Sequence, residues 1–390
     1  MAVSPLGRVD VASLVGTTVK RPKLLFFVTE DWVFCSHRLA LGQAAVNAGY
    51  EVVLVTRLRE HKKLIEDAGI RVIPIEHQRG GLNLFSDFRV LLHLWSIYRT
   101  EGPSLVHHVA LKPVLLGSLV AALVGIPQVN AITGLGWIFI SQSTTAKFLS
   151  MVLTGLLRLT LRRGISILQN PEDQNWIINL GIPLSSTRLI RGAGVNIEKF
   201  APTFKELTEP TTVMLVARML FDKGVLEFVD AAKQLKTRGV NGRFVLVGAP
   251  DQANRASVTL TQLERWQAEG VVEWWGYRDD ISICYSQAHI ACLPSYREGL
   301  PKSLLEAAAS GLPIVTTDTP GCREVVCDGE NGLLVPVKNS QALADALERL
   351  LIDPALRDRM GKRSREIAEN EFDVERVIAK TLEVYRELSA

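Results

Sequence analysis

From Lys23 onward, short runs of consecutive apolar residues alternate with longer segments whose apolar residues recur every three or four positions. The runs KLLFFVT (23–29), EVVLVTR (51–57), IRVIPI (70–75), SLVHHV (104–109), PQVNAIT (127–133), GISILQN (164–170) and RLIRGAG (188–194) read as strands. A strand that is apolar on both sides must be covered on both faces, which is the environment of a parallel sheet. The segments 37–50, 61–69 and 84–102, and the stretch after Lys112, read as the covering helices, the first closed by Gly49. EDWVFCSH (30–37) reads as a loop after the first strand. A polar, Pro-containing stretch over 198–210 then breaks the pattern as a linker would. The alternation restarts with strands expected in 211–218, 242–250, 271–276, 289–295, 312–317 and 331–337. Helices are expected over 223–239, 251–270, 279–288, 301–311, 340–352 and 354–370.

The pattern predicts five parts. A flexible arm occupies 1–20, an α/β domain 21–197, the linker 198–210 and a second α/β domain 211–372. An amphipathic helix over 373–390 ends the chain and is expected to return to the first domain. Two parallel-sheet domains joined in this way set the C-terminal edges of their strands across a cleft, where ligands of such sheets bind.

Composition narrows the class. A chain of 390 residues suits two or three domains, and 47% hydrophobic residues exclude disorder. Lys and Arg number 44 against 41 Asp and Glu, and a net +3 does not argue for a nucleic-acid partner. From Pro113 to Ala146 there are 34 residues without a charge. Their longest apolar piece, LLGSLVAALVGI (115–126), falls short of the ~20 residues that span a bilayer. Pro127 and the Gly134/Gly136 pair interrupt the rest, so the run reads as buried helix, strand and loop. Phe148–Arg163 is apolar but carries Arg158, Arg162 and Arg163. It reads as a helix packed on a domain face or as an amphipathic helix on a membrane surface. The first twenty residues lack a basic start followed by an apolar core, so no secretory signal is expected. Cys35, Cys284, Cys292, Cys322 and Cys327 form no C-x-x-C pair, which supports neither a zinc site nor a disulfide framework and suits a reducing compartment.

Candidate chemistry concentrates in Tyr296–Pro336. The strand before Glu298 and Gly299 ends in a loop, and Pro301 can open a helix whose free amides form a socket for phosphate oxygens. Glu298 lies in that loop and Glu306 lies on the helix, so the two can grip different parts of an extended ligand. Arg218 closes the strand TTVMLVAR, and Lys223 follows five residues later. A rigid guanidinium fork and a mobile ammonium at such an edge suit a diphosphate. Neither G-x-x-x-x-G-K-[ST] nor G-x-G-x-x-G is present, which removes most support for an ATPase or a dinucleotide dehydrogenase.

These residues are similar to the retaining, nucleotide-sugar-dependent glycosyltransferases of family 4, whose GT-B fold pairs two Rossmann-like domains. The family's E-x7-E element matches Glu298 to Glu306, and its glycine-rich continuation matches Gly321, Glu324, Gly329 and Gly332. The resemblance implies that Glu298 contacts the donor sugar, with Gly299, Leu300 and Pro301 near sugar and phosphate. It implies Glu306 at the ribose hydroxyls, Arg218 and Lys223 at the diphosphate, and the backbone of Gly276 and Tyr277 at the nucleobase. The two cations cover the leaving group, so no obligatory metal and no tightly bound cofactor are expected, and no Asp-x-Asp metal motif is found.

The first domain is expected to receive the acceptor. Gly134 and Gly136 follow the strand PQVNAIT, where glycine lets main chain approach a ligand. Many relatives carry His-x-His at the strand SLVHHV, but here the second position is Val109. His108 is therefore preferred as the contact near the sugar, with His107 close behind and a satisfied core histidine as the competing reading. Glu30, Asp31, Ser36 and His37, after the first strand, are candidates for acceptor hydroxyls or phosphate, with Glu30 or Asp31 as a candidate base. TEDWVFCSHRLAL, VHHVALKPVLLGSL and NAITGLGWIF resemble bacterial transferases that extend polyprenyl-diphosphate-linked sugars for O-antigen, capsule or glycoprotein glycans.

The resemblance implies a UDP-sugar donor, carrying an N-acetylhexosamine or a related deoxy sugar, and retained anomeric configuration. It implies a polyprenyl-diphosphate-linked acceptor, an anionic membrane surface as partner, and a cytoplasmic enzyme peripheral on the inner membrane. A transferase with a soluble acceptor, a nucleotide-sugar epimerase and a noncatalytic nucleotide-sugar-binding scaffold are the alternatives.

Overall fold

The computed structural model describes residues 21–77, 84–134, 154–202, 210–252, 254 and 256–389. The first sheet is formed by β1 (Lys23–Glu30), β2 (Glu51–Arg57), β3 (Arg71–Pro74), β4 (Leu105–Val109), β5 (Gln128–Ile132), β6 (Ile165–Leu168) and β7 (Thr187–Leu189). The second is formed by β8 (Thr212–Val216), β9 (Arg243–Val247), β10 (Glu273–Trp274), β11 (Ile290–Leu293), β12 (Ile314–Thr317) and β13 (Gly332–Val335). Their orders are β3-β2-β1-β4-β5-β6-β7 and β10-β9-β8-β11-β12-β13, and all pairings are parallel. The expected α/β architecture is thus what the chain adopts, as two Rossmann-like domains. In each sheet the order reverses beside its first strand, between β1 and β4 and between β8 and β11. Such a switch point opens a crevice at the C-terminal strand edge.

Both faces of the first sheet are covered. Leu25, Phe27, Val53, Val55 and Val106 pack under the helices Leu84–Glu101 and Leu111–Val124. Phe26, Leu54, Leu105 and Val129 pack on the opposite face, together with Val377, Ile378, Val384 and Tyr385 of the terminal helix Val374–Ser389. The chain crosses back to this face through a short backbone ladder, in which Val195 N–H donates to the Phe372 carbonyl (2.8 Å) and Val374 N–H to the Val195 carbonyl (3.0 Å). Burial of each such large apolar side chain contributes about 1.5–3 kcal/mol.

Two segments differ from the sequence pattern. Residues Asp31–His37 form a helix rather than a loop. Asp31 is completely buried and accepts the amides of Arg59 (2.7 Å), Glu60 (3.0 Å) and His61 (3.1 Å), so its carboxylate ties this turn to the loop after β2. Among the described residues of the segment 251–270, only Leu260–Ala268 is helical. A capping box between Thr259 and Gln262 starts the helix there, leaving Asp251 in the preceding loop. Among the described residues, no helix is long and apolar enough to cross a membrane. The uncharged run is helix and strand as far as Ile132. The arm 1–20, most of the linker, residues 135–146 and the first part of Phe148–Arg163 lie outside the described residues.

Candidate active site

β11 delivers the loop Pro294–Pro301 to the edge of the second sheet, and the helix Lys302–Ala309 follows it. Arg218 and Lys223 come from the turn after β8, the neighbouring strand. One cleft is lined by Arg218, Lys223, Glu298, Gly299, Leu300 and Pro301 on this side and by His37, Val109, Ala110 and Thr133 from the first domain. Lys223 Nζ meets Glu298 Oε1 at 2.5 Å, and Arg218 Nη1 meets Asp251 Oδ2 at 2.5 Å. Each cation is therefore held in place by a carboxylate.

The two domains touch at the loop that carries Glu298. Asn170, fully buried, caps the helix Pro171–Asn179 by accepting the Asp173 amide. Its Nδ2 donates to the Gly299 carbonyl at 2.9 Å. Arg297 Nη2 lies 3.1 Å from Asp173 Oδ1, and Lys302 Nζ donates to the Ser36 carbonyl at 2.7 Å. Burial raises the Asp173 carboxyl, with Asn170 and Arg297 opposing. A Cβ on Gly299 would stand 2.1 Å from the Thr133 carbonyl oxygen, so only glycine allows this approach. Gly134, at φ +152°, is the facing residue. Gly136 lies outside the described residues.

An adjoining pocket shares Trp32 and Arg218 with the cleft and adds Pro250, Asp251, Tyr277 and Arg278. Tyr277 is mostly exposed, and Gly276, at φ +68°, accepts the Gly248 amide through its carbonyl at 2.8 Å. Glu306 lies further along its helix, buried, 3.4 Å from Lys302, and lines neither cavity. Burial raises its carboxyl, against the pull of Lys302 and Lys199. His37 is pushed down to about 3 by burial first, then by Lys302, Arg38 and Lys223, and is therefore neutral at pH 7.

Four acceptor-side or sugar-contact candidates do not reach the cleft. His108 is fully buried: its Nδ1 contacts Asn130 Oδ1 at 2.7 Å and its Nε2 the Tyr98 hydroxyl at 2.9 Å. An amide oxygen only accepts, so Nδ1 carries the proton and Nε2 accepts from Tyr98. The ring lies against Gly117, where a Cβ would come within 2.4 Å of it. His107 points to the other face of β4 and contacts the Tyr385 hydroxyl through Nδ1 at 2.5 Å. Strand alternation sends the two rings to opposite core faces, away from the strand's end. The neighbouring cleft residues are Val109 and Ala110, the latter at φ +76° where β4 turns into the next helix. Glu30 is buried against Arg57 at 3.2 Å, and Asp31 is consumed by the three amides described above. Ser36 is exposed and engages the site through its carbonyl.

Trp32, Asn170, Asp173, Asp251, Arg297 and Lys302 were not among the sequence candidates. Asn170-Pro171 with Asp173 is a legible helix-start signature, but nothing in it tells that the Asn also reaches across to Gly299. Among the described residues no group of three or more His, Cys, Asp or Glu is arranged to hold a metal ion.

The family model for "Glycosyl transferase 4-like" proteins matches residues 23–168, and that for "Glycosyl transferases group 1" matches residues 196–367. The chain is 29% identical over 362 residues to the N,N'-diacetylbacillosaminyl-diphospho-undecaprenol alpha-1,3-N-acetylgalactosaminyltransferase of Campylobacter jejuni, covering 89% of this chain and 94% of that one. It is 25% identical over 336 residues to the UDP-Gal:alpha-D-GlcNAc-diphosphoundecaprenol alpha-1,3-galactosyltransferase of Escherichia coli, covering 82% and 84%. Among solved structures, sucrose-phosphate synthase of Thermosynechococcus elongatus shares the fold at a TM-score of 0.78 and 22% identity, covering 94% of this chain and 99% of that one. With two matched models that tile both domains and a cleft built at their switch points, the chain is a glycosyltransferase of GT-B fold, related to the family 4-like nucleotide-sugar transferases.

Proposed function

We propose that this protein transfers a sugar, an N-acetylhexosamine or a related deoxy sugar, from a UDP-sugar to a polyprenyl-diphosphate-linked saccharide, with retained anomeric configuration. The observation that carries the reading is the meeting of Arg218, Lys223 and the turn Glu298–Pro301 in one cleft that faces Gly134. Both relatives named above bear a diphospho-undecaprenol acceptor in their names, and one names UDP-galactose as donor. In this reading Tyr277 and Gly276 border the nucleobase, and Arg218 and Lys223 cover the diphosphate. Glu298 accepts from hydroxyls of the donor sugar, next to the amides of Gly299 and Leu300. His37, neutral and on the opposite wall, takes the acceptor side.

The reaction breaks the bond between the anomeric carbon and the phosphate oxygen, and its electron pair leaves with UDP. Fixed cations stabilise the charge that develops there, a contribution that matters most in a water-poor site. The acceptor hydroxyl attacks on the same face and passes its proton to the departing phosphate oxygen, while the new glycosidic bond forms. Among the cleft residues described, no side chain is needed as a covalent nucleophile. In this reading the enzyme works in the cytoplasm on the surface of the inner membrane, where a lipid-linked acceptor resides.

A panel of nucleotide sugars, monitored for nucleotide release with and without lipid-linked acceptors from a membrane extract, tests this. UDP release that depends on the extract and yields an extended lipid-linked glycan is the expected result. Release with no new lipid-linked product sinks the acceptor assignment, and transfer to a small soluble sugar favours the soluble-acceptor reading. Glu298→Ala is expected to lower transfer roughly a hundredfold with little change in melting temperature. Unchanged turnover overturns its role.

A further inference from the structure

The helix Leu84–Glu101 has two apolar faces. Val90, Leu94, Ile97 and Tyr98 point into the core. Phe85, Phe88, Leu92 and Trp95 recur at i, i+3, i+7 and i+10 on the opposite side, with Phe85 88% exposed and the others 42–58%. A helix that merely covers a sheet is polar on its outer side. This one presents an apolar stripe about 15 Å long to its surroundings.

The stripe belongs to a wider surface. Leu84–Glu101 packs beside Leu111–Val124, and Asp87 pairs with Lys112 at 2.7 Å where the two begin. The helical residues 154–161 pack against Leu111–Val124 in turn, through Leu157 and Leu161 on Val114. Arg163 Nη1 donates to the Ala122 carbonyl at 3.1 Å, next to the exposed Leu123. Leu156 and Leu159 are exposed on the third helix. Charge on this face has one sign. Arg89, Arg99, Arg158, Arg162 and Arg163 are exposed, and the guanidinium of Arg99 lies 4.8 Å from the centre of the Trp95 ring. The three helices hold two carboxylates, and both are engaged: Asp87 by Lys112, and Glu101 by Lys23 at 2.9 Å and by Arg71.

We propose that this three-helix face docks on an anionic bilayer. The stripe Phe85–Phe88–Leu92–Trp95 enters the interface, and the arginines stand at the level of the lipid phosphates. The inference rests on the lipid-linked acceptor reading and assigns a part of the surface that the sequence had not singled out, beyond the basic segment Phe148–Arg163. The face also lies well for delivery of an acceptor. Its upper end, at Asp87 and Lys112, is two residues from Ala110 in the cleft wall. A second copy of the chain is a poorer occupant. A two-fold interface sets a patch against itself, and here that opposes arginine to arginine with no free carboxylate to pair.

The test is co-sedimentation of the full chain with phosphatidylcholine vesicles, with and without phosphatidylglycerol, and sedimentation velocity in the absence of lipid. Wild-type protein is expected to bind the anionic vesicles and to be released by salt. The exposed-residue double variant Phe88→Ser/Trp95→Ser is expected to weaken that binding about tenfold or more. Arg99→Glu/Arg158→Glu is expected to abolish the preference for phosphatidylglycerol. Melting temperature and turnover with a short-chain, water-soluble acceptor analogue should match wild type in both. If Phe88→Ser/Trp95→Ser melts early, Trp95→Gln alone replaces it. Equal vesicle binding by wild type and stripe variants overturns the proposal, as does no binding by wild type. So does a dimer of the free protein that the stripe variants dissociate. Vesicle binding without any lipid-linked product leaves this surface standing and removes the proposed acceptor instead.

Discussion

In the cleft, Glu298 pairs with Lys223 and Arg218 pairs with Asp251. A diphosphate bound there as proposed meets cations already drawn to the cleft wall, which lowers the ordering cost of binding it. The tightest steric constraint is at Gly299, where the peptide passes Thr133 with no room for a side chain. Gly299→Ala is expected to force the Glu298 turn away from Thr133. Overpacking of this kind costs about 1–3 kcal/mol, which corresponds to a fall in transfer of roughly five- to 150-fold if all of it is felt in the reaction. Steady-state turnover alongside a melting curve checks this. Full activity with an unchanged melting temperature means that the turn does not sit against Thr133 during the reaction.

The elements of the first domain have a part in the Glu298 side of the cleft that their own chemistry does not announce. The helix Pro171–Asn179 is started by Asn170, and the same side chain holds the Gly299 carbonyl, while Asp173 in its first turn holds Arg297. One helix terminus thus fixes two points of the loop that carries Glu298. Asp173→Asn keeps the shape and removes the charge that Arg297 faces. The expected outcome is a several-fold lower kcat, with KM for the donor changed less, since the loop is mispositioned for reaction more than for binding. Asp173→Glu should recover part of the loss. Equal rates for wild type and Asp173→Asn argue that the loop is held by the Asn170 contact alone. The helix Asp31–His37 contributes in the same indirect way, since its last turn offers the Ser36 carbonyl to Lys302.

Across the whole molecule, the terminal helix closes the first domain's core, with the Tyr385 hydroxyl on His107. His108 fills the opposite core face, and burial pushes it down to about 4, while His107 is lowered well below its ordinary 6.5. Above pH 6.5 both histidines are neutral whether the chain is folded or not, and they leave stability unaffected. As pH falls from 6.5 towards 4, the unfolded chain takes up protons that the folded chain refuses. Each histidine then lowers stability by about 1.4 kcal/mol per pH unit, until its own folded value is reached. Melting temperature is therefore expected to fall steadily between pH 6.5 and 4, and His108→Gln should flatten part of that slope. A slope unchanged by the substitution removes His108 as its cause. Much of this architecture is legible along the chain. Continuous apolar runs separated by amphipathic segments determine parallel sheets, because only strands covered on both faces leave that pattern. That Glu298, Arg218 and Lys223 share one cleft is legible too, because each lies in a loop just past the C-terminal end of neighbouring strands. The sequence does not determine where a side chain goes once several elements compete for it. His107 and His108 carry chemistry suited to a sugar site, yet strand alternation and the close approach of Gly117 and Tyr385 take both rings into the core. Asp31 is drawn away by three amides that lie some thirty residues on, and Asn170 is drawn into the site from 129 residues away. Periodicity reports which face a residue takes, whereas the partner it finds there depends on packing between segments distant in sequence, which only the tertiary structure decides.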